Sequence, residues 1–148
     1  MPSIANATTV VDSTSAGLTD TGLGFVAKAG YLYHFRGTMV LQAAATTTGP
    51  AVAIDTPATP TVFVAKASAP LTTTVGTDNE ELDATNTDQD QMTFSTSLST
   101  TGTLVEVEGY VTPSVAGEVK MQFNTEVNGS AVTYKGGRLD WREIGLAS

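Results

Sequence analysis

Cysteine is absent from the 148-residue chain. Disulfides, thiolate nucleophiles and Cys-ligated zinc are excluded together, and stability must come from packing, hydrogen bonding or association. Charge is scarce as well, with 15% of residues charged where about a quarter is usual. Basic side chains are the scarcer sign: 7 Lys and Arg stand against 15 Asp and Glu, a net charge of −8. No Lys/Arg cluster offsets this acidity, so nucleic acid and anionic membranes are not expected partners. No apolar run approaches the roughly 20 residues of a membrane-spanning helix. The start, Met1-Pro2-Ser3-Ile4-Ala5-Asn6, lacks the basic residues and apolar core of a signal peptide, so synthesis in a cytoplasm is the expectation.

Thr, Ala, Ser and Gly fill the space that charge leaves, with Thr the commonest residue. A β-branched side chain is stiff in a helix and packs well on a pleated surface, so this composition favours strands. The clearest strand is Tyr31–Gln42, where Tyr31, Tyr33, Phe35, Met39 and Leu41 share one face and His34, Arg36, Thr38 and Gln42 the other. Gly37 falls on the apolar parity and predicts a bulge, a bend or a close backbone approach, or a division of the run into two strands. Val119, Met121, Phe123 and Val127 alternate with polar residues in the same way, as do Val105, Val107 and Val111. With Pro113–Gly117 as the turn, Leu104–Val127 reads as a hairpin. Shorter candidates are Thr8–Val11, Gly24–Lys28, Val52–Asp55, Thr61–Lys66, Gln91–Leu98, Ala131–Tyr134 and Arg138–Ile144, with turns at Asn128-Gly129 and Gly136-Gly137. About ten short strands without helical periodicity predict a single all-β domain over 17–148, an antiparallel sandwich of jelly-roll type. Residues 1–16, rich in Ser, Thr and Ala, are expected to form a flexible arm able to order on a neighbouring molecule.

Residues 67–90 read as a long acidic loop. Asp78, Asn79, Glu80, Asp83, Asp88 and Asp90 offer oxygen ligands of the kind calcium takes. Without EF-hand spacing or its central glycine, the loop is read as solvated, and no metal or other cofactor is assigned. His34, the single histidine, has no nucleophile motif such as G-x-S-x-G to serve and reads as a surface or interface residue. Glu106 and Glu108, two apart on one face, have the side-chain chemistry of a glycosidase pair. A strand's solvent face, paired with Lys120 or a nearby Arg, accounts for them more simply. Trp141, between Asp140 and Arg142, is read as a core residue in preference to a partner's anchor. Tyr110 and Tyr134 would mark a binding surface if exposed. Phosphate-loop, dinucleotide and zinc-protease patterns are absent, so no catalytic residue is assigned and enzymatic activity is not expected.

Two segments resemble small structural proteins of tailed bacteriophages. The first runs through Gly22-Leu23-Gly24-Phe25, Ala29-Gly30-Tyr31-Leu32-Tyr33-His34-Phe35 and Ala43-Ala44-Ala45-Thr46-Thr47-Thr48-Gly49-Pro50. The second joins Glu108-Gly109-Tyr110-Val111-Thr112-Pro113 through Gly117 to Glu126-Val127-Asn128-Gly129-Ser130-Ala131-Val132-Thr133-Tyr134-Lys135-Gly136-Gly137, with Thr125 in place of the more usual Ser. The resemblance covers over half the chain and leaves residues 1–21 and 60–100 unmatched. It implies a β-sandwich virion module: a head decoration or cement protein on the capsid surface, trimeric, with the major capsid protein as partner. A tail fibre or spike component that binds a host-surface receptor or glycan is the alternative it allows.

Overall fold

The computed structural model describes residues 2–70, 79–85, 91–94 and 100–147, with the backbone alone for 79–85. Its strands are β1 (Ser3–Asn6), β2 (Val10–Asp12), β3 (Thr19–Ala27), β4 (Tyr31–Ala43), β5 (Pro50–Asp55) and β6 (Val62–Pro70), followed by β7 (Asn79–Thr85), β8 (Met92–Thr93), β9 (Thr103–Thr112), β10 (Gly117–Thr125) and β11 (Val132–Leu146). They form two antiparallel sheets packed as a sandwich. The larger has seven strands, ordered β1-β11-β4-β9-β6-β7 with β2 also paired to β11; the smaller is β3-β10-β5-β8. No helix occurs among the described residues.

Alternation dictates this packing, because successive side chains of a strand point to opposite faces. On β4, Tyr33, Phe35, Met39 and Leu41 are buried, while Arg36 and Val40 face solvent and His34 and Thr38 are half-buried. Val105, Val107 and Val111 of β9 join them from the same sheet. Val119, Met121 and Phe123 of β10, with Leu23 and Phe25 of β3 and Val52 and Ile54 of β5, fill the layer from the opposite sheet. Aromatic contacts tie the sheets together: Phe25 stacks on Trp141 at 5.2 Å and 9°, and Phe123 lies 6.1 Å from Tyr134. Trp141 is partly buried against the core, as expected of it.

Several expectations are corrected. β9 and β10 do not form a hairpin, since they belong to different sheets and the chain from Pro113 to Ala116 arches across the sandwich. Both strands bury one face, and those faces meet across the core rather than lying side by side. Val127 falls beyond β10 and is 40% exposed. β4 is not divided at Gly37, because that glycine serves a close approach: a Cβ there would collide with Met121 Sδ of the other sheet. Gly136-Gly137 is not a turn. It marks a bulge within one continuous β11, where the register shifts between Tyr134 and Gly136. The bulge moves the inward parity from Val132 and Tyr134 to Leu139 and Trp141, so one strand looked like two.

The acidic segment is less of a loop than expected. β6 continues to Pro70, and Asn79–Thr85 pairs along it, with Lys66 opposite Asp83 and Ser68 opposite Glu81. Asp78, Asp88 and Asp90 lie outside the described residues, as do positions 95–98 of the expected Gln91–Leu98 strand. Within the first 16 residues, β1 pairs with β11 from Ser3 opposite Asp140 to Asn6 opposite Gly137, and β2 pairs with β11 at Val132–Tyr134. The Asn128-Gly129 turn forms as expected, closed by Ser130 N–H donating to Val127 O at 3.0 Å.

Candidate interaction surface

One face of the seven-stranded sheet packs on the core, and the other is open. Four rows of side chains cross that outer face over β6, β9, β4 and β11, and strand register fixes their order. Val64, Tyr110, His34 and Arg142 stand opposite one another in the first row. Lys66, Glu108, Arg36 and Asp140 form the second, alternating in sign. Ser68, Glu106, Thr38 and Arg138 form the third, and Leu104 faces Val40 in the fourth. Opposite charges directly across an antiparallel pair attract, which is one physical reason for this order.

Ion pairs also link neighbouring rows. His34 Nε2 lies 2.9 Å from Glu108 Oε1, and the His34 ring leans on Tyr110 at 4.9 Å. That hydrogen bond to His34 holds the Glu108 carboxyl below its ordinary pKa. Arg36 reaches Glu106 at 3.7 Å, and Arg138 Nε donates to Asp140 Oδ1 at 2.9 Å. The expected pairing of Glu106 and Glu108 with Lys120 does not occur. Lys120 is on the other sheet, bracketed by Asp55 at 3.1 Å and Asp20 at 3.2 Å, and these carboxylates raise its pKa.

Apolar side chains flank the charged rows. At one end Val62, Val64 and Tyr110 are 39%, 44% and 44% exposed; at the other, Val40 and Leu104 are 38% and 52% exposed. Two shallow depressions of about 150 Å³ and 190 Å³ lie between the rows and meet at Ser68 and Glu106. Glu106 and Glu108 line the first together with Arg36 and Lys66, so the two carboxylates lie among cations on a sheet surface rather than across a cleft. Among the described residues, no three His, Asp or Glu side chains gather as a metal-binding group.

The two tyrosines separate. Tyr110 is on the open face, whereas Tyr134 is fully buried and donates to Asn6 Oδ1 at 2.5 Å. Burial pushes its phenol up to about 12. The segments that carry the phage resemblance touch at both ends of β4: Gly30 N–H donates to Pro113 O at 2.9 Å at one, and residues 43–50 meet 126–131 at the other. Ala44 N–H donates to Ala131 O at 2.8 Å, and Gly49 N–H to Glu126 Oε1 at 2.8 Å.

Asp12 carries a structural role that composition did not reveal. Its carboxylate, 6% exposed, accepts from Thr19 Oγ1 at 2.5 Å, Thr14 N–H at 3.1 Å and Thr125 N–H at 3.4 Å. Asp12 is thus a joint between both sheets. An acid on an apolar alternation next to Val10 and Val11 was the available signal, since a carboxylate in a buried strand needs donors.

No family model matches the chain, and no curated protein matches it. Among solved structures, it is similar to a chain in the structure of infectious bursal disease virus Gx strain, at 13% identity with a TM-score of 0.24. That match covers 99% of this chain and 36% of the other. A chain of the Gt strain matches at 11% identity and a TM-score of 0.22, covering 97% of this chain and 42% of the other. The protein thus spans less than half the length of either viral chain.

Proposed function

We propose that this chain is a non-enzymatic structural protein of a virion, acting as a decoration or cement protein that bridges neighbouring capsomers of a phage head. The observation that supports this reading is the open sheet face. Its interleaved charges, exposed apolar ends and shallow relief suit it to a protein partner rather than to a reacting small molecule, which calls for a concave pocket. The phage-like segments add to it, because they contact one another at both ends of β4 and so describe one structural unit. In this role the major capsid protein is the partner, the decoration unit is a homotrimer on the capsid surface, and binding increases buried area without chemistry.

A second reading has an observation of its own. Tyr110 is 44% exposed with the His34 ring against it, an apolar aromatic platform with a polar tip. Such a platform suits a sugar ring and fits a tail fibre or spike component that binds a host-surface glycan. Gold-labelled antibody imaging of intact virions of the source phage separates the readings. Label spread regularly over the head is the expected result. Label confined to the tail tip overturns decoration in favour of host binding, and virions without label overturn both.

A further inference from the structure

We propose that the outer face of the seven-stranded sheet is a two-fold docking surface for a second copy of this chain. The inference rests on charge order, and it gives to a second copy the face that the virion reading offers to the capsid, so the two compete for one surface. In the row Lys66, Glu108, Arg36, Asp140 the signs run plus, minus, plus, minus. Over the four strands β6, β9, β4 and β11 this order becomes its own complement when reversed; beyond them the row continues to Asp83 of β7, opposite Lys66, and to Ser3 of β1, opposite Asp140.

A two-fold axis lying in the interface, parallel to the strands and between β9 and β4, performs that reversal. It turns a second copy to face the first, keeps each row at its own level and exchanges left for right. Lys66 then meets the partner's Asp140, and Glu108 meets the partner's Arg36. The inner pairs of the first and fourth rows are matched as well, while that of the third sets Glu106 against the partner's Thr38, a polar contact without charge repulsion. Leu104 meets the partner's Val40, and Tyr110 meets the partner's His34, so apolar faces apolar and ring faces ring. Each contact occurs twice, as an isologous interface requires.

The competing placements do worse on charge. An axis along β9 sets Glu108 against the partner's Glu108, and one along β4 sets Glu108 against the partner's Asp140. An axis running across the strands at the charged row sets every charge against its own like. An axis between β4 and β11 matches one pair and leaves the other half of the row outside it. One between β6 and β9 matches Lys66 with Glu108 and sets Arg36 level with the partner's Asp83, but carries Asp140 and all of β11 out of the interface. Like charges brought together at an interface cost several kcal/mol, so the order of the row favours the central axis.

Size is also adequate. Four strand widths of about 4.8 Å by nine residues of about 3.4 Å, the nine being the paired length of β4 and β9, give a face of about 600 Å², the lower end of the standard range. A standard interface takes roughly 800 Å² from each partner. Arg36 is 58% exposed and Glu106 lies 3.7 Å away, so its guanidinium is open to a second carboxylate.

The test is sedimentation equilibrium of the full chain from micromolar to millimolar concentration at low and high salt. The expected result is a monomer–dimer equilibrium that weakens as salt rises. Arg36→Glu and Glu108→Arg, each alone, set like charges against each other and weaken dimerisation by about tenfold or more. An equimolar mixture of the two variants restores it, because the reversed charge on each chain then meets the opposite sign on the other. Thermal unfolding of each variant checks that it folds. Should either fail, Lys66→Glu and Asp140→Lys make the same exchange at the outer pair. A monomer at every concentration overturns the proposal and leaves this face to a different protein. Association that both variants leave intact, as a three-fold assembly through another surface would show, overturns it, as does a mixture that remains dissociated.

Discussion

Two glycines on the inner face of the large sheet make the same kind of space against different neighbours. A Cβ at Gly37 would collide with Met121 Sδ and meet Cε at 2.6 Å, the far end of a flexible side chain. A Cβ at Gly109 would collide with Val64 O and meet Ala65 Cα at 2.9 Å, with Phe35 Cζ at 2.7 Å. Backbone yields less readily than a thioether, which has several torsions to turn. Gly109→Ala is therefore expected to destabilise the protein by about 3 kcal/mol or more, and Gly37→Ala by about 1–2 kcal/mol. Urea unfolding of the two variants checks the order, and equal losses would contradict it. On the opposite face, Glu108 gives a prediction in pH. His34→Ala removes the hydrogen bond that lowers the Glu108 carboxyl, so its titration, followed by carbon NMR, moves up toward the ordinary glutamate value. A depressed carboxylate lends stability above its unfolded pKa and loses it as pH falls through the folded one. The stability gap between wild type and His34→Ala accordingly narrows on acidification, and it starts small because Glu108 is 44% exposed.

At the scale of the element, the two ends of β2 behave differently. Val10 packs against the core and Val11 is 57% exposed, so neither explains why the short strand stays in place. Asp12 does: its carboxylate joins Thr14, Thr19 of β3 and Thr125 of β10. Asp12→Ala leaves the Thr125 N–H buried without that acceptor and is expected to cost about 2–4 kcal/mol, read by urea unfolding. Faster amide exchange confined to β2 and the start of β3 should accompany it; exchange rising evenly everywhere would argue against a local joint. What the sequence revealed of such elements follows from what alternation encodes. Tyr31–Gln42 was legible because its inner and outer faces differ along most of its length; Glu118–Asn128 was legible only at its start, since Gln122 and Asn124, expected on the outer face, are buried and Val127 is exposed. Alternation names the buried face and is silent about the neighbour, so a hairpin and an arch between sheets look alike, and β9 and β10 were joined wrongly. The same silence placed Lys120 beside Glu106 and Glu108 when its partners are Asp55 and Asp20. Gly136-Gly137 misled for a different reason, since a bulge breaks parity as a turn does. On the open face, sequence put His34, Glu106 and Glu108 on solvent-facing sides. Their assembly into rows needed the register of four strands distant along the chain.

Both sheets share one core, and the whole molecule should unfold as they do, together. The sandwich has no layer of its own on either side: Phe25 of the small sheet rests on Tyr33 and Trp141 of the large one, and Phe123 faces Tyr134. Removing either sheet exposes the other's apolar face, so neither has a stable existence alone. Trp141, the single tryptophan, sits at that junction and reports on it without labelling. Its fluorescence and the far-UV circular dichroism of the strands are expected to follow one coincident transition in urea. Phe25→Ala removes the ring stacked on Trp141 and should shift both probes to lower urea together, by about 3–5 kcal/mol. A shift in fluorescence alone would mean that the Phe25–Trp141 contact is a local patch and that the sheets are held by something other than their common core. Because Ser3–Asn6 of β1 pairs with Gly137–Asp140 of β11, this cooperativity depends on contacts far apart in sequence. Refolding should accordingly be slow, on the order of milliseconds to seconds. A microsecond refolding phase that recovers the full Trp141 signal would show that the sandwich forms from local hairpins first.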